Sequence, residues 1–123
     1  MGAGVARSDS HTFLAAVTTG TTPVPTAMNV RGYSIASFQV VGLNTGTVQW
    51  EATLNSEATT TTWVAVRATD ANSGSAATTA TADGLSTLDV RGFAFVRARV
   101  TTLSFVNNGQ LDVYGFRQTE AGD

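Results

Sequence analysis

The sequence predicts an all-β protein: an antiparallel β-sandwich of jelly-roll type with almost no helix. Three observations carry that prediction. No segment repeats apolar residues at i, i+3, i+4 and i+7 over a helical length. About seven to nine short apolar or alternating segments recur instead, at roughly 8–12-residue spacing, with turn-forming residues between them. The clearest, Phe93 to Thr102, sets Ala94, Val96, Ala98 and Val100 on one face and Phe93, Phe95, Arg97 and Arg99 on the other, the period of 2 of a strand with one side in the core. At 123 residues the chain is long enough for one domain with its own core. It divides into an extended N-terminal arm over 1–10, a single sandwich domain over 11–118 and a C-terminal tail over 119–123.

The first strand is expected over His11 to Thr19, and Pro23 and Pro25 end it because proline cannot donate to a central ladder. A short edge segment follows over Thr26 to Val30. Tyr33 to Val41 sets Ala36, Phe38 and Val40 on one face and Tyr33, Ile35 and Val41 on the other. Thr47 to Leu54 sets Val48, Trp50, Ala52 and Leu54 inward and Thr47, Gln49, Glu51 and Thr53 outward. The Gly42–Gly46 turn between these two segments predicts a hairpin. Beyond a polar loop at Asn55-Ser56-Glu57-Ala58-Thr59-Thr60, a strand is expected over Thr61 to Thr69, and Asp70 to Ser75 is turn chemistry. Ala76 to Thr81, all Ala and Thr, is weakly specified. Leu85 to Val90 faces the core with Leu88 and Val90. The long strand from Phe93 extends towards Val106, Asn107-Asn108-Gly109 is a strong type I′ turn signal, and Leu111 to Gln118 closes the fold with Leu111, Val113 and Gly115 inward and Tyr114 and Phe116 outward.

Composition narrows the function. The net charge is -2 with a pI near 5.1, which gives no electrostatic basis for nucleic-acid binding. All seven basic residues are Arg, and there is no Cys, so disulfides and thiolate metal sites are excluded. Charged residues are 13% of the chain against about 25% in ordinary domains. A surface so poorly charged offers little protection against association. No apolar run approaches the ~20 residues of a membrane-spanning helix, and no signal-peptide core is visible, so neither membrane nor export is expected.

No catalytic constellation stands out. His11 is the sole His and lacks partners for metal or nucleophile chemistry. Asp70, Asp83 and Asp89 would bind Ca²⁺ only if their loops converged; turn-forming Asp is the simpler reading. Glu51 with Asp89 or Asp112 is the nearest approach to a glycosidase carboxylate pair, and nothing singles it out. The expectation is no enzyme, no cofactor and no metal. Trp50 lies in phase with the core, whereas Trp63 starts a strand after a Thr run and is a candidate stacking platform for a ligand. Tyr33, Ile35 and Val41, Phe93 and Phe95, and Tyr114 and Phe116 all sit opposite the core, where a lone sandwich is polar. Phe93, Phe95, Arg97, Arg99, Tyr114 and Phe116 are therefore interface candidates. The simpler alternative for Arg97 and Arg99 is pairing with Glu51 on a neighbouring strand.

The order of motifs from about residue 30 to 117 resembles a family. Arg31-Gly32-Tyr33-Ser34 leads into Phe38-Gln39-Val40. Gly46-Thr47-Val48-Gln49-Trp50-Glu51-Ala52 is followed by Trp63-Val64-Ala65-Val66. Asp83-Gly84-Leu85, Leu88-Asp89-Val90-Arg91-Gly92 and Phe95-Val96-Arg97-Ala98-Arg99-Val100 complete the series. This is similar to the small β-sandwich virion modules of tailed bacteriophages, the capsid decoration (cement) proteins in particular. The resemblance implies a structural virion protein that binds the outer capsid surface. It would act as a homotrimer, with itself and the major capsid protein as partners, and be made in the host cytoplasm. The arm, with Arg7, and the C-terminal tail would be its clamps. The alternative it implies is a carbohydrate-binding or structural module of a tail or baseplate.

Overall fold

A computed structural model describes residues 8–18, 26–54, 62–104 and 109–119. Among them there is no helix, and eleven strands run β1 (Ser8–Val17), β2 (Met28–Asn29), β3 (Ile35–Val41), β4 (Thr45–Thr53), β5 (Val64–Ala65), β6 (Ala68–Asp70), β7 (Ala76–Ala77), β8 (Thr79–Ala80), β9 (Gly84–Asp89), β10 (Phe95–Ser104) and β11 (Leu111–Gln118). They form two antiparallel sheets. The larger, sheet A, has the order β1-β11-β3-β9-β6-β7; the smaller, sheet B, has β2-β10-β4-β5, with β8 also on β4. The two sheets enclose one core, to which β3 gives Ala36, Phe38 and Val40, β4 gives Val48, Trp50 and Ala52, β10 gives Val96 and Ala98, and β11 gives Leu111 and Val113. Phe38 of sheet A stacks on Trp50 of sheet B with ring centroids 4.5 Å apart, and Phe13 of β1 adds its ring at 5.3 Å from Phe38. The β-sandwich class stands as expected.

Connections between strands depart from the expectation. β3 and β4 do not form a hairpin: β3 pairs with β11 and β9, and β4 pairs with β10. The reason is Leu43, which is buried and pulls the connection across the top of the core. Asp83 holds it there, accepting from the Gly42 N–H at 3.0 Å and the Leu43 N–H at 2.7 Å. Gly42 has φ 83° and a Cβ there would lie 2.1 Å from the Gln110 carbonyl oxygen. Gly42→Ala is therefore expected to cost at least about 2 kcal/mol, strain and a backbone clash together, measurable as a lowered urea midpoint.

The expected strand over 61–69 is two short strands in different sheets, β5 in B and β6 in A. Leu54, expected inward, is 73% exposed, while Glu51 and Thr53, expected outward, are buried. β1 begins at Ser8, inside the stretch read as arm. β10 and β11, on either side of the Asn107-Asn108-Gly109 turn signal, lie in different sheets, so no hairpin joins them; Asn107 and Asn108 themselves, the 55–60 loop, Arg7 and 120–123 lie outside the described residues.

An internal repeat escapes the linear reading. Asn29-Val30-Arg31-Gly32-Tyr33-Ser34 and Asp89-Val90-Arg91-Gly92-Phe93-Ala94 make the same turn. In each, the side-chain oxygen of the first residue accepts from the Arg N–H at 3.0 Å, and the fifth residue's N–H donates to the Val carbonyl at 3.0 Å. Both glycines have positive φ, 80° and 94°. The turns also clasp each other: the Val30 N–H donates to the Ala94 carbonyl and the Val90 N–H to the Ser34 carbonyl, both at 3.0 Å. Strand pairing follows the same exchange. β2 pairs with β10 and β9 with β3; β10 pairs with β4 and β3 with β11. An approximate two-fold thus relates sheet A to sheet B, and each outer face has a counterpart on the other side.

Candidate functional site

The outer face of sheet B carries the strand that drew attention in the sequence. Arg97 stands opposite Glu51 and Arg99 opposite Gln49 across the β10–β4 ladder. The Arg97 Nε donates to Glu51 Oε1 at 2.8 Å, and the Arg99 Nε donates to Oε2 at 3.0 Å, with Gln49 Nε2 donating to the same oxygen at 2.8 Å. Glu51 is 4% exposed. Burial by itself raises its carboxyl, but the hydrogen bonds from Arg97, Arg99 and Gln49 outweigh it and hold the group below the ordinary carboxylate range. The Arg97 guanidinium lies 4.3 Å over the Trp63 ring, and Arg31 lies 5.0 Å over Phe95, which is itself buried. The sequence reading that paired both arginines with Glu51 is the arrangement found, and Trp63 spends a ring face on Arg97. Phe93 lies elsewhere, lining an open apolar cleft of about 370 Å³ with Leu54, Val64 and Val66.

The outer face of sheet A is of another kind. Two rows of residues cross it. Thr12, Tyr114, Gln39 and Leu85 stand opposite one another on β1, β11, β3 and β9; Ser10, Phe116, Ser37 and Thr87 form the next row, which continues to Thr69 on β6. Neither row contains a charge. Tyr114 is 43% exposed, Phe116 39% and Leu85 51%, around a shallow depression of about 120 Å³. The apolar groups opposite the core therefore do not form one patch: Tyr114, Phe116 and Val41 are on sheet A, Phe95 is on sheet B, and Phe93 lies in the turn before β10. Leu85 is the member that the linear reading missed, although its odd phase against inward Leu88 marks it as outward.

Several other titratable groups have structural partners. The Arg117 guanidinium donates to Asp9 Oδ2 at 2.8 Å and to the Asn29 carbonyl, and lies 4.5 Å over Tyr33, which ties the start of β1 to β2. The Arg117 hydrogen bond holds the Asp9 carboxyl below its ordinary value. Asp70 caps its own turn through the Asn72 N–H at 2.7 Å, and Asp112 accepts from the Ala16 N–H at 2.9 Å. Arg91 holds Asp89 at about 2. The His11 Nε2 is 3.1 Å from Thr26 Oγ1 and its ring stands edge-on to Phe13; burial lowers its pKa. Among the described residues no three His, Asp or Glu are gathered as metal ligands.

Fold and faces together define a two-sheet β-sandwich module. No family model and no curated protein matches the sequence. Among solved structures the chain is similar to the SPBc2 prophage-derived protein YomS, with a TM-score of 0.77 over 94% of this chain and 96% of YomS at 14% identity. It is similar also to the PBSX exported protein XepA, with a TM-score of 0.79 over 94% of this chain but 39% of XepA, again at 14% identity. At that identity the fold is what is shared; one neighbour is named as prophage-derived and the other as exported.

Proposed function

We propose that the chain is a structural, non-enzymatic virion protein of a tailed bacteriophage, a capsid decoration protein that binds the outer surface of the shell. The observation that carries this reading is the end-to-end fold match to a prophage-derived protein, with 94% of this chain and 96% of YomS superposed. The motif order supports it, as does a surface low in charge. The mechanism is mass action: a protein that binds the mature lattice and not its precursors stabilises that lattice by its binding free energy. The protein acts as a homotrimer around a local symmetry axis, with the arm and tail as clamps on the major capsid protein. Labelled-particle microscopy tests the location. Label over the head supports the reading; label confined to the tail overturns it.

One observation favours a second reading. XepA is longer, and the shared sandwich is 39% of it, so the fold also serves as a module within a larger chain. A tail or baseplate module that binds carbohydrate would follow, and glycan-array binding lost on Trp63→Ala would favour it.

A further inference from the structure

The approximate two-fold makes the two outer faces comparable position by position. On sheet B, the positions of β10 and β4 hold Arg97, Arg99, Glu51 and Gln49, bound to one another, with Trp63 on Arg97. On sheet A, the matching positions of β3 and β11 hold Ser37, Gln39, Phe116 and Tyr114, with both aromatic rings exposed. The polar side chains of the first set are satisfied by one another; among the described residues those of the second set are not.

We infer that the outer face of sheet A is turned towards the three-fold axis of the homotrimer, with Gln39, Ser37, Tyr114 and Phe116 beside the axis and against the other two copies; this rests on the oligomeric reading above. Charge selects the occupant. Residues close to a rotation axis lie beside their own copies, so an unbalanced charge there repels itself. Sheet B fails that condition, because Arg97 and Arg99 share the single Glu51 carboxylate. Sheet A meets it. Its two central rows are uncharged; Asp112, opposite Val41, and Asp89, opposite Ile35 and paired with Arg91, stand outside them. Size agrees as well. The four longest strands of sheet A, about 4.8 Å apart and about 3.3 Å per residue, project to roughly 500 Å², about the area per partner at which specific interfaces begin. Aromatic anchors ringed by Ser, Thr and Gln also match the make-up of an interface centre and its rim.

The chain has no Cys, so a single introduced one reports proximity without background. On oxidation, full-length Gln39→Cys is expected to give a disulfide-linked dimer on a non-reducing gel, and Thr101→Cys, on the outer face of sheet B, is expected not to. In sedimentation equilibrium, Tyr114→Arg and Phe116→Arg should each weaken self-association at least about tenfold, with Thr101→Arg unchanged and thermal melts showing every variant folded. Folded arginine variants that associate like the parent, or cross-linking at Thr101 in place of Gln39, would overturn the assignment. Should an arginine variant fail to fold, the cross-linking decides alone. A parent protein that stays monomeric also overturns it, and capsid binding by that monomer would leave the decoration role standing.

Discussion

Trp50→Ala is expected to remove most of the stability of the fold. Trp50 is 1% exposed and in the middle of β4, and its ring is stacked on Phe38 from the opposite sheet at an interplanar angle of 14°. It is the largest fully buried side chain among the described residues, so truncation opens a cavity where the two sheets meet and strips contact from Phe38. Substitutions of this kind cost about 3–5 kcal/mol, against a total of about 5–15 kcal/mol for a domain. In urea denaturation the midpoint should fall sharply at unchanged slope. A loss below about 1 kcal/mol would mean that Trp50 does not join the sheets as described.

Glu51→Ala should be nearly as damaging for an electrostatic reason. Removing the carboxylate leaves Arg97 and Arg99, two residues apart on one face of β10, without their counter-ion. Breaking a buried pair costs about 3–5 kcal/mol; Arg99 is 44% exposed at its side chain and water screens it, so about 3 kcal/mol is expected. Glu51→Gln keeps the shape and loses the charge, and isolates the pH effect. The folded carboxyl lies below its unfolded value of 4.5, so its contribution is complete above pH 4.5 and is lost as pH falls through the folded value. The stability difference between parent and Glu51→Gln should therefore be constant near neutrality and shrink in acid. A difference that grows on acidification would contradict the pairing.

Strand existence and facing were legible because alternation is local. β9, β10 and β11 lie where Leu88, Val96, Ala98, Leu111 and Val113 predict, and all five are buried. Strand partnership was not legible, because a turn with Gly and Asn closes a hairpin or crosses a sandwich with equal ease. Burial of Leu43 and its anchoring by Asp83, forty residues on, decide between them. Glu51 misled for a related reason. Its phase points outward, and it is buried there with Arg97, Arg99 and Gln49 all donating to its carboxylate. The repeated Val-Arg-Gly turns were in plain sight at Val30 and Val90, yet their meaning lies in the reciprocal pairing of β2 with β10 and β9 with β3, which no single segment contains. For the site, the Phe and Arg strand proved to be satisfied largely within the chain, and the exposed aromatic groups of β11 gain their significance from Leu85, Ser37 and Gln39 on neighbouring strands.

The central claim is a role on the capsid, and binding to the shell tests it most directly. If the proposal holds, expanded phage capsids prepared without the protein should take up the purified chain on co-sedimentation to a fixed stoichiometry, and should then resist heat or chelator better than bare shells. Unexpanded procapsids should take up little. Equal uptake by both shells, or none by either, would contradict the account.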